Sequence, residues 1–257
     1  MREHIKTIHI TKNLRLLWFY DQPGKLRWQI AADLAGIISG GALEVAKWLG
    51  IAFFVCFFLT QCMSQAHAAE TVIPKRAEQY RSILIRAARA TWGLDAPVAV
   101  FAAQIHTESR WRADAKSPVG AMGLAQFMPA TAKWIPDIDP SLAPPAPNNP
   151  GWSIRAMLRY DLWLFNRAKG KDEYQRMAFA MSGYNGGEGW VNRDKRLAAS
   201  NGLDPGQWFE HVETVNAGRS ASNWRENRAY PRLILEEHQF AYERAGWGKS
   251  LPNPEAQ

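Results

Sequence analysis

A mainly α-helical domain behind an apolar N-terminal segment is what this 257-residue sequence predicts. Three observations predict it. Past residue 69 apolar residues recur at helical spacing between Pro, Asp and Gly punctuation. Alternating strand patterns are almost absent. Residues 48–59 are an uncharged apolar run with Lys47 just before them. Such a run is short for a bilayer span of about 20 residues and right for the core of an export signal.

The elements follow in order. Pro74 opens a helix reaching about Trp92, and Gly93 closes it. Asp95 is placed to cap the next, with Pro97 in its first turn. There Val98, Phe101, Ala102 and Ile105 form a core-facing stripe, and Glu108 continues it three residues on. Residues 110–128 read as loop, and 129–134 as a short helical turn. Residues 136–150 hold six prolines and read as a surface loop. A long amphipathic helix is expected over 153–168, with Gly170 past its end. Asp172 caps another, to about Ser182, and a last helix runs from about Tyr230 to Ala245. The expected division is an N-terminal extension, 1–68, and a helical domain, 69–257.

The N-terminal segment admits several readings. Ala66-His67-Ala68 is a small-x-small pattern before a cleavage point at Ala69, but the preceding stretch exceeds an ordinary charged n-region. A weaker apolar patch, 34–43, is interrupted by glycines and Ser39. An extended cleaved signal, an uncleaved anchor and a weakly apolar anchor later released from the membrane all fit. Leu59-Thr60-Gln61-Cys62 resembles a lipoprotein box with Gln61 where a small residue belongs. Each reading puts the domain outside the cytoplasm, either periplasmic or anchored in the inner membrane and facing the periplasm. Association with the membrane would run through this segment.

Charge and cysteine content narrow the chemistry. The net charge is +7, of which residues 69–257 carry +4. A mildly basic domain suits an acidic polymer, peptidoglycan or nucleic acid, and equally suits ordinary solubility. No basic run of five appears after residue 69, which disfavours nucleic acid. Both cysteines, Cys56 and Cys62, lie in or beside the apolar segment, so the domain has no thiol nucleophile and no Cys-based metal site. The six histidines include no pair at ligand spacing, so neither metal nor cofactor is expected.

Glu108 carries the chemistry. A carboxyl on the core side of a helix is partly desolvated, which raises its pKa and can keep it protonated near neutral pH. A protonated glutamic acid beside a cleft is the proton donor that glycosidic cleavage needs. Glu108-Ser109 is followed by Gly120-Ala121-Met122-Gly123-Leu124-Ala125-Gln126-Phe127-Met128-Pro129 and then by Ser182-Gly183-Tyr184-Asn185-Gly186-Gly187. Further on stand Phe209-Glu210-His211-Val212-Glu213 and Arg225-Glu226-Asn227-Arg228-Ala229-Tyr230, with an inserted loop at 218–223. In that order these motifs resemble the soluble lytic transglycosylase (SLT) family of the lysozyme-like superfamily, over roughly 75–245.

The resemblance implies a lysozyme-like catalytic domain that cleaves the β-1,4 bond between N-acetylmuramic acid and N-acetylglucosamine in peptidoglycan and leaves 1,6-anhydromuramyl ends. Glu108 would be the lone acid/base, with Ser109 holding its carboxyl or the sugar. Attack by the tethered muramyl 6-hydroxyl requires no second carboxylate. Gln126 offers a donor and an acceptor, and Met122 and Met128 offer polarizable apolar surface. Tyr184, Asn185 and Tyr230 would come to the cleft. Ala125 stands where the family commonly has Met, which would widen the groove. Ser182-Gly183 replaces small apolar residues, Glu188 a common Pro, and Asn227 a common Thr. Pro231 fits only if a helix begins there. Trp111, Trp134, Trp152, Trp190 and Trp224 flank the motifs, and none is assigned a subsite.

Two other readings stand beside this one. A hydrolytic muramidase of the goose-lysozyme kind, including a phage endolysin, would need a second carboxylate to place water. Asp114 and Glu188 are the motif-adjacent options. A wall-binding module without activity would have no need of Glu108.

Overall fold

The structure is a computed structural model describing residues 8–11, 14–16 and 71–254. The chain divides into two units, Met1–His67 and Ala68–Gln257. In the first, β1 (Ile8–Thr11) and β2 (Leu14–Leu16) pair antiparallel, with an irregularity between His9 and Thr11. The sequence pattern does not announce this pair. The apolar run 48–59, the cleavage pattern at 66–68 and the Cys62 box lie outside the described residues. No described helix is long and apolar enough to cross a membrane.

The second unit is helical. A 3₁₀ turn, Lys75–Ala77, leads into α1 (Glu78–Trp92), which ends at Gly93 with φ +91°. Only glycine adopts that conformation without strain, so the helix stops where the sequence predicts. Next, α2 (Val98–Ser109) starts at Pro97 and takes no side-chain cap. The expected Asp95 cap is not there, because the Asp95 carboxylate pairs with Lys249 at 2.6 Å instead.

All residues from Val98 to Ile105 are buried to within 1 % of full exclusion, so α2 is buried on every side and not on a single stripe. A helix of that kind belongs at the centre of a domain. Accordingly α2 packs against α1, against α8 (Gln239–Arg244) and against the π-helical turn Leu233–His238 that precedes α8. Two successive left-handed residues, Arg110 (φ 50°) and Trp111 (φ 64°), end it.

The long connection that follows is held by backbone pairing, with Met122 and Phe127 exchanging both amide hydrogen bonds. Gly123 is obligatory here. Its φ is +77°, and a Cβ would lie 2.0 Å from the Pro147 carbonyl oxygen. From Pro129, α3 runs to Ile138, through Pro136 and beyond the expected single turn. The proline-rich stretch then forms a 3₁₀ turn, Pro140–Leu142.

Asn149 caps α4 (Pro150–Arg167) by accepting from the Trp152 amide. Asp172 caps α5 (Glu173–Gly186) through the Gln175 amide. This last helix runs four residues past the expected end, so the Ser182–Gly186 motif is its final turn and not a loop. Gly187 breaks the chain into α6 (Glu188–Ser200), which the sequence reading did not anticipate. Ser220 caps α7 (Ala221–Arg232). This helix begins nine residues before the expected start. Pro231 therefore lies inside its last turn, and the ladder widens to the π turn immediately afterwards. Proline has no N–H to donate, and its ring crowds the preceding turn.

Candidate active site

A cavity of about 450 Å³ opens between the end of α2, the 117–128 loop, the last turn of α5 and the middle of α7. Glu108 lines it, half-buried, together with Gln126, Met128, Tyr184, Asn185 and Tyr230. Four separate segments bring these six residues to one place.

Burial dominates the electrostatics of Glu108 and raises its carboxyl to about 8. The Tyr230 hydroxyl opposes that shift by donating to Oε1 at 2.5 Å, and the charge of Glu226 reinforces it. At neutral pH the group is therefore mostly protonated and can donate. Tyr230 is 5 % exposed, and its phenol is pushed well above the ordinary range by burial and by Glu108. It is therefore a donor at neutral pH. Tyr184 is held up likewise and donates to the Ala125 carbonyl at 2.7 Å, fixing the loop against α5. Gln126 has a left-handed backbone (φ 47°), and its amide nitrogen bonds the Ala115 and Gly123 carbonyls. It shapes the loop as well as lining the cavity.

Other expected residues fall elsewhere. Ser109 is 2 % exposed, and its hydroxyl bonds the Ile105 carbonyl within its own helix, on a face turned from the cavity. Met122 lines a separate depression with Asp114 and Lys116. The Ala125 side chain is fully buried outside the cavity lining, so its small size does not widen the groove. Glu188 accepts both oxygens' bonds from Arg167 Nε, at 2.9 and 3.1 Å, and faces a different cavity. Neither proposed second carboxylate is therefore beside Glu108. Glu226 is the one that lines its cavity, 3.5 Å from the Asn185 amide. It stands in the quoted motif four residues before Tyr230, the helical spacing that puts both on one face.

Tyr160 was also missed, and so was Asp161 beneath it. Tyr160 lines the cavity and stacks obliquely on Tyr184, with centroids 5.3 Å apart. Asp161 is fully buried, receives Gln104 Nε2 at 3.1 Å, and is kept well above the usual carboxylate range by burial. An amphipathic pattern over 153–168 cannot flag an aspartate on the buried face. None of the five motif-flanking tryptophans lines the cavity. Trp111 and Trp152 are core residues, and the Trp152 indole donates to the Leu142 carbonyl.

The polar wall behind Tyr230 is built from departures in the motifs. Asn227 is 1 % exposed; its Oδ1 accepts from the Ser182 hydroxyl, and its Nδ2 reaches the Ser182 carbonyl and Asn185. A Cβ at Gly186 would lie 2.4 Å from Arg219 Nη1 and 2.7 Å from Asn227 Nδ2, so either side chain would have to shift. Arg228 and Arg219 both bond the fully buried Asp194, at 2.9 and 3.1 Å, which ties the inserted loop to α6. Among the described residues no group of three or more His, Cys, Asp or Glu could hold a metal ion.

The helical unit thus holds one shielded carboxyl in an open groove. Comparison with known proteins makes this specific. Residues 83–204 match the family model described as "Transglycosylase SLT domain". Over those residues the helical unit is similar to the transglycosylase SLT family.

Among curated relatives, membrane-bound lytic murein transglycosylase F of Shewanella loihica is 38 % identical over 109 residues, covering 42 % of this chain and 21 % of that protein. The protein of the same name from Pasteurella multocida is 33 % identical over 151 residues, covering 57 % and 27 %. The match thus spans about a quarter of the length of these relatives. The 70 kDa soluble lytic transglycosylase of Escherichia coli superposes with a TM-score of 0.48 and 20 % identity, over 66 % of this chain and 25 % of that one.

Proposed function

We propose that this chain is a peptidoglycan lytic transglycosylase, acting in the periplasm or on the periplasmic face of the inner membrane, with Glu108 as its single acid/base. The observation that carries the reading is a carboxyl raised to about 8 in an open groove and pinned by the Tyr230 hydroxyl. Protonated Glu108 gives its proton to the oxygen linking N-acetylmuramic acid to N-acetylglucosamine as the C1–O bond breaks. The hydrogen bond from Tyr230 stabilises the carboxylate left behind. That carboxylate then takes the proton of the muramyl 6-hydroxyl as its oxygen bonds C1. The proton count closes, no water is consumed, and the product is a 1,6-anhydromuramyl end. Tyr184 and Asn185 line the groove where the sugar amide would lie, and Met128 offers 41 % of its surface at the rim.

The presence of Glu226 in the same groove favours one second reading, hydrolysis with a carboxylate-positioned water. Mass spectrometry of muropeptides released from purified sacculi separates the two. Anhydro ends support lytic cleavage, whereas reducing ends overturn it in favour of hydrolysis. No release at all overturns both.

A further inference from the structure

The larger cavity in this unit is not the groove that holds Glu108. About 880 Å³ in volume, it lies behind that groove, between the end of α4, the end of α5, α6 and the 204–206 turn. Five cationic residues line it: Arg167, Lys169, Lys171, Lys195 and Arg196. The only acids in the lining are Glu188, which Arg167 engages, and Asp204, whose Oδ1 takes the Gly206 amide at 2.7 Å. Its floor is apolar, with Leu164 and Phe179 buried there. Segments 169–171 and 204–206 are joined by the Lys171 amide donating to the Gly206 carbonyl, so the rim is built and not splayed.

We propose that this cavity receives the free carboxylates of the peptide stem carried by a glycan strand lying in the Glu108 groove. The proposal rests on the reading of that groove as the glycan site. Two observations point to an anion. The cationic excess of three surrounds a concave, low-dielectric floor, which focuses the field inward. Within it the Lys195 ammonium lies 4.0 Å from the centre of the Phe179 ring while donating to the Lys169 carbonyl. Burial and the neighbouring Lys169 charge lower its pKa, and an entering carboxylate would offset both by favouring the charged ammonium.

One observation points to the stem. Gly183 lines the basic cavity, while its neighbours in sequence, Tyr184 and Asn185, line the groove. The two spaces are thus separated by a single helical turn. A stem of four residues, extended at roughly 3.3–3.6 Å per residue, spans more than the ~10 Å diameter of a helix. Phosphate would satisfy the same cations, and the test distinguishes it.

Isothermal titration of the full chain with N-acetyl-L-alanyl-γ-D-glutamyl-diaminopimelate needs no glycosidic bond, so its result is independent of catalysis. The free-acid peptide is expected to bind at least about tenfold more tightly than the same peptide fully amidated. It is also expected to lose roughly tenfold in affinity in Lys195→Gln/Arg196→Gln. Glu108→Gln should bind it like the wild type. Lys169→Gln/Arg196→Gln, at exposed positions, replaces the first pair if Lys195→Gln impairs folding. Equal binding of the amidated peptide, or undiminished affinity in the variants, overturns the proposal. So does inorganic phosphate binding as tightly as the peptide. If the peptide binds and sacculi release no anhydro ends, the catalytic reading fails and this one stands.

Discussion

The two walls of the groove are made in opposite ways. On one side α2 is apolar over most of its length and delivers Glu108 to the groove near its end. On the other, α7 buries Asn227 and Arg228, which bond Ser182, Asn185 and Asp194, and presents Tyr230 in front of them. The apolar wall holds a proton on the carboxyl, because ionisation there lacks solvent. The polar wall holds a phenol in one direction, because a network of bonds leaves Tyr230 little freedom. A raised acid aligned by one donor requires both. Dryness alone would leave Glu108 unaligned, and polarity alone would let it ionise.

Breaking the dry wall's product has the largest expected effect. Glu108→Gln keeps the shape and removes the transferable proton, so release of muropeptides from sacculi should fall by roughly 10²–10⁴-fold. Wild-type turnover should also lose its proton donor as pH rises through about 8, giving an alkaline limb there in a rate–pH profile. Next, Asp194→Ala strands two buried guanidinium groups and should destabilise the unit by about 3–5 kcal/mol in denaturant unfolding. An unchanged midpoint would mean that the polar wall is not what holds α7.

Tyr230→Phe sharpens the comparison. It removes a bond to a charged group worth about 1.5–3 kcal/mol, so turnover should drop roughly 10–100-fold. Because that bond lowers the Glu108 pKa, its loss should move the alkaline limb upward. A downward shift would contradict the assignment.

The last effect is read in stability and not in turnover. Glu108 stands at about 8 when folded and at 4.5 without its surroundings. Between those values the unfolded chain gives up its proton first, so wild-type stability falls as pH rises across that window. Glu108→Gln does not titrate. Its melting temperature relative to wild type should therefore climb from about pH 5 to pH 8 and then level off.

How much of this could be read from the chain divides along the same line. The apolar wall is legible, because helical spacing and punctuation place α2 within a residue or two and put Glu108 at its end. The polar wall is not. Asn227 and Ser182 look like two unrelated departures from the SLT pattern, 45 residues apart, and only folding shows that they bond each other. Pro231 argued for a helix starting at Tyr230, yet the Ser220 cap and the Asp194–Arg219 pair set the start earlier and the proline is absorbed near the end. Glu226 stands in its motif unmarked as a groove residue, because nothing local says that its face of α7 meets α2. The helix over 188–200 was missed because its polar, charged sequence lacks a strong apolar stripe, with Val191, Asp194 and Ala198 its buried positions.

The acid and the phenol that aligns it are 122 residues apart in sequence. A nascent chain that has emerged only as far as α6 carries Glu108 with nothing to orient it. Competence therefore arrives late in synthesis, when the α7 segment docks. On the proposed reading, a fragment that ends before α7 carries the acid without the phenol that aligns it, and is inert.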